Sequence, residues 1–369
     1  MRRVLRVVGA VLLTLALAVT IAAFAIDASP LGASRPMRSL YPGPYVTVGA
    51  TLVAYRRWGT QGTPIVLLGG AAEPSWVWRS VGPRLAAAGH RVFALDLPPF
   101  GYTQRNVQPS LQGWLPLLRG FERRLAIRRP LLVGHSLGAG VAAAEALDRP
   151  REVSGIVLLD GDALPFGGGR SWLAHALLYP WFDAAFRVAT SSDWLVGRVV
   201  RNAWGPNAPK LSHTTLRQFE RPFRVPGTAG SVRALVARGL PGVSLDGLRK
   251  ITVPRAVVWG ADDNVDSVAS GRASAAALGV PLQIVPGTGH LSMLAQPARV
   301  AQRIVGLARR TSSRSRTSPR SWVTTPESGS AGSTRRSGSC SASRRRSAPR
   351  LLPGKSSRGR RRSEAGLGK

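Results

Sequence analysis

Short apolar runs alternate with helically spaced segments from about residue 46 to residue 307. The first of them, 46–55, alternates apolar and polar positions around a glycine, which predicts a hairpin. Buried strands are predicted at 65–68, 91–95, 131–133, 157–159, 256–259 and 282–285, and helices at 76–88, 111–125, 139–147, 268–278 and 293–307. This alternation predicts an α/β fold in which helices cover both faces of a mostly parallel central sheet.

The alternation stops for a long segment in the middle of the chain. Residues 164–248 carry helical stretches rich in Trp and Phe, and a segment of that length is too long for a loop. We therefore predict an inserted helical cap at 164–248 and an α/β core formed by 40–163 and 249–309. The aromatic residues of the cap either pack its interior or line an apolar pocket above the core; they are Trp172, Trp181, Phe182, Phe186, Trp194 and Trp204.

The chain begins with a basic segment followed by an apolar run at 7–26. A helix of about 20 residues spans the roughly 30 Å of a bilayer core, so residues 1–30 are predicted to be a transmembrane signal anchor. Ala23-Phe24-Ala25 also matches a signal-peptidase pattern, and cleavage there would give a secreted protein. The basic N-terminus favours the cytoplasmic side, which places the folded domain outside the cytoplasm.

The formal net charge of +33 is unevenly distributed. Residues 309–369 contain 17 Lys and Arg but only 2 acidic residues, and this Arg/Ser-rich composition predicts that 310–369 is disordered. The tail either contacts acidic lipid or nucleic acid without sequence preference or has no function. Specific nucleic-acid binding is not expected, because the chain has no zinc-finger spacing, RNA-recognition signature or basic-region heptad.

Cysteine and metal-ligand patterns exclude several other classes of chemistry. Cys340 is the single cysteine and lies in the tail, so neither an intrachain disulfide nor a cysteine nucleophile is available to the folded part. The sequence shows no metal constellation and no G-x-x-x-x-G-K-[ST] loop. We expect no metal and no cofactor, and the sequence does not indicate an oligomeric state.

Residues 134–138 read Gly-His-Ser-Leu-Gly and match the pattern G-x-S-x-G between a predicted strand and a predicted helix. In such a turn the hydroxyl of Ser136 stands clear of the backbone, and flanking glycines leave room for close neighbours. The N–H of Leu137 points toward a developing oxyanion at the N-terminus of a helix. A serine that only caps the helix is the alternative interpretation, but the strand–turn–helix context favours a nucleophile.

With this motif in place, residues 46–307 resemble the α/β-hydrolase superfamily, in particular its capped branch of serine esterases, lipases and carbon–carbon bond hydrolases. The family's chain order of nucleophile, acid and histidine implies a catalytic triad of Ser136, Asp263 and His290. The acid follows from a match of residues 259–263 to W-G-x-x-D, with Asp262 and Asp266 as alternatives. The histidine follows from a match of residues 287–290 to G-x-G-H.

The resemblance also implies an oxyanion hole built from the backbone N–H groups of Ala71 and Leu137. The family usually has His-Gly in the first of these loops, whereas this chain has Gly69-Gly70-Ala71. The change leaves a backbone donor available, so it affects the rate rather than the type of reaction. A second departure is Pro99, where the family more often has glycine, and Asp96 at the start of that turn is expected to be structural.

These observations predict a hydrolase that cleaves an apolar carboxylic ester through an acyl-enzyme. A serine nucleophile argues against haloalkane dehalogenases and epoxide hydrolases, which use a carboxylate. One alternative is a carbon–carbon bond hydrolase with the same triad, whose carboxylated substrates would need an arginine in the pocket, for which Arg201, Arg221 and Arg224 are candidates. The other alternative is a non-catalytic binding module on the same fold.

Overall fold

The computed structural model describes residues 1–167 and 179–316. Its eight strands form one sheet in the order β1-β2-β4-β3-β5-β6-β7-β8. The strands are β1 (Tyr45–Val48), β2 (Thr51–Trp58), β3 (Pro64–Leu68), β4 (Arg91–Leu95), β5 (Leu131–His135), β6 (Gly155–Leu159), β7 (Arg255–Gly260) and β8 (Leu282–Val285). β2 pairs antiparallel with β1 and β4, and all other neighbours are parallel. The predicted mostly parallel α/β sheet is confirmed.

Helices precede the sheet, connect its strands and follow it. They are α1 (Arg2–Ala28), α2 (Met37–Leu40), α3 (Gly82–Ala87), α4 (Leu111–Arg124), α5 (Leu137–Asp148), α6 (Trp181–Ala189), α7 (Asp193–Trp204), α8 (His213–Glu220), α9 (Thr228–Arg238), α10 (Leu245–Arg249), α11 (Val268–Leu278), α12 (Ser292–Ala295) and α13 (Pro297–Arg316). Two 3-10 turns, Ser75–Trp78 and Arg221–Arg224, complete the described elements.

The sheet separates two hydrophobic layers, which explains the continuous apolar runs of its strands. Along β3, Val66 and Leu68 pack into the layer that contains α4 and α5, while Ile65 and Leu67 pack into the layer that contains α3 and α13. A parallel strand that is buried on both faces needs apolar side chains at every position. Because these strands are parallel, their carboxyl ends lie along the same edge of the sheet. The loops that leave this edge carry the predicted site residues.

Two predicted helices differ from the observed ones, and proline accounts for both differences. The segment predicted as one helix at 76–88 is a 3-10 turn followed by α3, which has Pro83 in its first turn. The helix predicted at 293–307 is divided into α12 and α13, because Pro297 lacks an N–H and starts a new helix. α13 continues to Arg316 and buries Thr311, so the boundary predicted at residue 309 was too early. The predicted disorder of 310–369 falls largely on residues outside the described part of the chain.

The segment between β6 and β7 contains five described helices, α6 to α10, at the predicted position of the cap. The segments that enter and leave this insertion pair with each other through an isolated β-bridge. Phe166 and Leu240 exchange two backbone hydrogen bonds of 3.0 and 2.8 Å. This bridge holds the two ends of the insertion together beside the carboxyl edge of the sheet. Trp172 lies outside the described residues.

The N-terminal helix α1 is long and apolar enough to cross a membrane over residues Arg6–Ala28, with a mean hydropathy of 2.6. Its last turns pack on the cap rather than on the core. The ring of Phe24 meets the ring of Tyr179 edge-on at 5.9 Å, and Asp27 forms an ion pair with Arg187 at 3.0 Å. Most of the remaining apolar side chains of α1 are exposed.

Candidate active site

Ser136 lies in a tight turn between β5 and α5. It adopts φ 50° and ψ −122°, a region that is unusual for a residue with a side chain and typical of a nucleophile elbow. The neighbouring glycines are required by close approach. A Cβ at Gly134 would lie 2.2 Å from the carbonyl oxygen of Gly138, and a Cβ at Gly138 would lie 2.6 Å from that of Leu68. The G-x-S-x-G pattern therefore has a steric reason in this fold.

His290 and Asp263 come from the loops after β8 and β7 and meet at the same edge of the sheet. The Nδ1 atom of His290 lies 2.9 Å from Oδ2 of Asp263. The Asp263 side chain is fully buried, and its Oδ1 accepts the backbone N–H groups of Val265 and Asp266 at 2.9 and 3.0 Å. With both oxygens engaged, the carboxylate can orient one ring nitrogen of His290 and leave the other free to face a reactant.

The two alternative acids make different contacts. Asp262 and Arg201 both line a separate cavity beside α7. Oδ2 of Asp266 accepts the backbone N–H of Asp162 at 3.2 Å. Of the three sequence candidates, Asp263 is thus the one whose carboxylate is hydrogen-bonded to the imidazole.

Ser136, Leu137 and His290 line one cavity of about 450 Å³. Its apolar wall is formed by the start and end of the cap together with the β7 loop: Ala163, Leu164, Phe166, Leu240, Pro241 and Val265. Two carboxyl groups, of Asp162 and Asp266, also face it. Burial raises the pKa of both, that of Asp266 to about 6. The cavity therefore combines an apolar wall with two carboxyl groups whose raised pKa values make them hold a proton to a higher pH than an exposed carboxyl group does.

The cap aromatics that the sequence offered as a pocket lining are absent from the described wall of this cavity. Phe182 and Phe186 stack on each other at 6.0 Å and pack toward the core. Trp204 is buried in the other layer, and Trp194 and Trp181 are largely exposed. The interpretation as packing residues therefore fits Phe182, Phe186 and Trp204, whereas Trp181 and Trp194 are exposed and fit neither interpretation. In the described wall, Phe166 is an aromatic residue that lines the cavity.

The loop after β3 passes directly against the elbow. A Cβ at Gly70 would lie 2.7 Å from Cβ of Ser136, so only glycine fits there. Ala71, the predicted oxyanion-hole donor, follows at once, and Leu137, the other predicted donor, begins α5. The Gly70 N–H is tied down by Oε2 of Glu73 at 2.7 Å, which holds the loop in a closed turn.

A buried polar network connects this loop to the histidine loop through His135. Its Nδ1 lies 2.8 Å from Oε2 of Glu73, and its Nε2 lies 2.7 Å from the backbone oxygen of His290. Burial alone would lower the pKa of His135, but the charges of Glu73 and Asp160 and these hydrogen bonds outweigh it and raise the pKa to about 9. Both ring nitrogens of His135 therefore donate at neutral pH.

Asp160 completes the network from the end of β6. Its Oδ1 accepts the backbone N–H of Gly260 at 2.7 Å, its Oδ2 accepts the hydroxyl of Ser292, and Oδ2 lies 3.7 Å from Nε2 of His135. Burial raises the pKa of Asp160 to about 6. Glu73, Asp160 and Ser292 were not predicted from the sequence. A signal was present for Asp160, because a carboxylate directly follows the apolar run Val157-Leu158-Leu159.

The turn after β4 is built around Asp96, which was expected to be a structural residue. Asp96 is buried, and its carboxylate accepts the backbone N–H groups of Ser75 and Tyr102. A Cβ at Gly101 would lie 2.2 Å from Cγ of Asp96, so the turn closes tightly around the carboxylate. Asp96 is thus a structural residue that connects β4 to the 3-10 turn Ser75–Trp78.

Comparison with known proteins agrees with this architecture. Residues 65–303 match the family model described as the alpha/beta hydrolase family. The chain is 22% identical over 272 residues to the uncharacterized hydrolase YugF of Bacillus subtilis, an alignment that covers 73% of this chain and 98% of that protein.

Solved structures show the same fold. A meta-cleavage product hydrolase from Pseudomonas fluorescens superposes with a TM-score of 0.60 at 21% identity and covers 73% of this chain and 98% of its own. A membrane phospholipase A described as a bacterial virulence factor superposes with a TM-score of 0.58 at 22% identity and covers 85% of this chain and 99% of its own. Because the family model spans well over half of the sequence, the chain belongs to the α/β-hydrolase family.

Proposed function

We propose that this protein is a serine hydrolase that cleaves carboxylic esters with an apolar acyl or alcohol portion. The observation that carries the proposal is the 2.9 Å contact between His290 Nδ1 and Asp263 Oδ2 in the wall of the cavity that also contains Ser136 on its strained turn. Ser136 and His290 line one cavity, and Asp263 is hydrogen-bonded to His290, which supports assigning these three residues to acyl transfer.

In this proposal Asp263 holds the N–H at Nδ1 of His290, so Nε2 accepts the hydroxyl proton of Ser136. Oγ attacks the ester carbonyl, and the N–H groups of Leu137 and Ala71 stabilise the oxyanion of the tetrahedral intermediate. The imidazolium then returns its proton to the leaving alcohol, which leaves an acyl group on Ser136. Water, deprotonated by His290, hydrolyses the acyl-enzyme and releases the acid.

The charges around the cavity favour an ester over a carboxylated carbon–carbon bond substrate. None of the three cap arginines lines the Ser136 cavity. Arg201 and Arg221 line two other cavities, and Arg224 donates to the backbone oxygen of Thr190. The described wall instead holds Asp162 and Asp266. An anionic substrate would meet these carboxyl groups, and no Lys or Arg belongs to the described part of the wall to offset them.

The N-terminal helix is proposed to anchor the enzyme to a membrane with its domain outside the cytoplasm. Supporting contacts come from Phe24 and Asp27, which hold the last turns of α1 on the cap through Tyr179 and Arg187. The alignment with the membrane phospholipase A also extends over 85% of the 369 residues, more than 40–309 alone contribute. Apolar esters that partition into a lipid bilayer would then be close to the catalytic domain.

The test is hydrolysis of p-nitrophenyl esters of increasing chain length by the full chain in non-ionic detergent. We expect turnover that Ser136→Ala abolishes and that Ser154→Ala retains, because Ser154 is a half-buried serine just before β6 at the opposite edge of the sheet. A ring-cleavage dienoate is the comparison substrate. Hydrolysis of the dienoate but of no ester would establish carbon–carbon bond cleavage instead, and inertness of folded protein toward both would indicate a binding module.

A further inference from the structure

A second cavity, of about 680 Å³, shares no lining residue with the Ser136 cavity. Four separate parts of the chain form it: the residues 40–44 that lead from α2 into β1, the strand β2, Tyr102 in the turn after β4, and the cap around the end of α8. Its walls therefore join the core, the cap and the segment that follows α1. This second cavity is the flank cavity.

The flank cavity is lined by cationic and aromatic side chains. Arg56, Arg57 and Arg221 line it together with Gln218, and none of its described lining residues is an Asp or Glu. Tyr41, which also lines it, lies under the guanidinium of Arg56 at 5.2 Å from ring centroid to Cζ. A cavity with several guanidinium groups and no carboxylate has a positive potential that favours an anion.

Two guanidinium nitrogens at or near this cavity are buried without a hydrogen-bond partner, Nε of Arg56 and Nη1 of Arg79. Arg79 stacks on Trp76 at 3.5 Å, and burial, together with the charge of Arg56, lowers the pKa of Arg79 to about 10. The two cations are thus within electrostatic reach of each other.

The described hydrogen bonds of the buried acid Asp96 go to groups other than Arg56 and Arg79. Asp96 is within electrostatic reach of Arg56, but its oxygens accept the N–H groups of Ser75 and Tyr102. Buried donors in native proteins usually have a partner, so the unpartnered Nε of Arg56 calls for an acceptor in the flank cavity that Arg56 lines.

We propose that the flank cavity binds a phosphate group, with Arg56 and Arg221 as its principal ligands. A guanidinium presents its N–H groups in a planar fork that matches the oxygens of phosphate, and two forks on opposite walls can hold one phosphate between them. Gln218 on the cap wall can add a neutral donor, and the Tyr41 ring supports the plane of Arg56. This site is independent of the reaction proposed for Ser136.

The position of the flank cavity favours a phospholipid headgroup as the source of that phosphate. The segment that leaves α1 runs along the same cap elements, because Arg35 N–H donates to Arg224 O at 2.8 Å and Arg221 Nη2 approaches Ser39 O at 3.5 Å. Leu40, twelve residues after the end of α1, is part of the cavity wall. A helix α1 that spans a bilayer would therefore bring the flank cavity close to the headgroup layer.

The experiment is calorimetric titration of the full chain in non-ionic detergent at physiological salt. The probes are inorganic phosphate, glycerol 3-phosphate and a diacyl phosphatidic acid in the same micelles. We expect saturable binding that weakens at least tenfold in Arg56→Gln and in Arg221→Gln. Arg123→Gln, an exposed arginine on α4 outside the flank cavity, removes the same charge and should stay within twofold of the wild type. Because the basic tail is present in every protein, non-specific binding cancels in the comparison.

Tighter binding of phosphatidic acid than of the soluble probes identifies a lipid headgroup site, and equal binding of all three identifies a site for soluble phosphate esters. If Arg56→Gln does not fold, Arg57→Gln combined with Arg221→Gln tests the same cavity through its more exposed wall. The absence of saturable binding of every probe, or an equal loss in Arg123→Gln, would overturn the proposal.

Discussion

Replacing His135 with glutamine should remove a pH-dependent part of the stability of the domain. His135 is fully buried between Glu73, Asp160 and the backbone oxygen of His290, and its pKa is raised to about 9. In the unfolded chain the same imidazole has a pKa of about 6.5. Between these two values the folded protein binds a proton at this position that the unfolded chain does not bind.

The sign and size of the effect follow from this difference. The stabilisation by the charged imidazole is fully present below about pH 6.5 and is lost as the pH rises through about 9. One pKa unit corresponds to about 1.4 kcal/mol, so the contribution to the free energy of unfolding is about 3 kcal/mol. Glu122, whose pKa burial raises to about 8, also makes the wild type less stable as the pH rises, but the variant shares that contribution.

The measurement is equilibrium unfolding of the wild type and of His135→Gln in urea, followed by tryptophan fluorescence from pH 6 to pH 10 in non-ionic detergent. The stability difference between the two proteins should be largest at pH 6 and should shrink by about 3 kcal/mol by pH 10. His90→Gln is the matched control, because burial lowers the pKa of His90 and leaves it uncharged above pH 7. Its difference from the wild type should be constant over the upper part of this range.

A stability difference for His135→Gln that does not change between pH 6 and pH 10 would refute the reasoning. It would mean that His135 is neutral in the folded protein. The Glu73–His135 contact would then be a neutral hydrogen bond, and the loop that carries Gly70 and Ala71 would be held by weaker forces than the charged pair supplies.

Further changes test the remaining conclusions. Ser136→Ala should lower kcat by about 10⁶, and a fluorophosphonate probe should label Ser136; labelling of another serine would contradict the assignment. Asp263→Asn should lower kcat by about 10⁴, whereas Asp262→Asn should change it only a few-fold, and similar losses in both would show that the acid is misassigned. Truncation after Arg316 should leave the melting temperature unchanged, but truncation after Arg310 should cost about 1–2 kcal/mol because it removes the buried Thr311; equal stability of the two proteins would show that the last turn of α13 is dispensable. The chain should remain in the membrane pellet after a carbonate wash, and a mature N-terminus at Ile26 would contradict the anchor.

The fold and the three proposed catalytic residues were accessible from the sequence because their signals are local. Buried strands such as 91–95 and 282–285 are continuous apolar runs, and the structure places β4 and β8 at these residues. The G-x-S-x-G, W-G-x-x-D and G-x-G-H patterns each encode a tight loop in which glycine leaves room for close neighbours. Each pattern can therefore be recognised from its own few residues, without knowing which distant residue its side chain contacts. Pro297 was equally visible, although the break it causes between α12 and α13 was not predicted.

Contacts between distant segments were decided by the tertiary structure alone. Glu73 follows β3, His135 ends β5 and Asp160 follows β6. No spacing in the chain indicates that their side chains share one buried network. Likewise, the described wall of the Ser136 cavity contains Phe166 and Leu240 at the two ends of the cap but none of Trp181, Trp194 and Trp204. The burial and the charge of a side chain depend on which residues from distant parts of the chain pack against it. Whether an aromatic residue of a cap helix faces the core or solvent is therefore decided by neighbours that lie outside its local sequence.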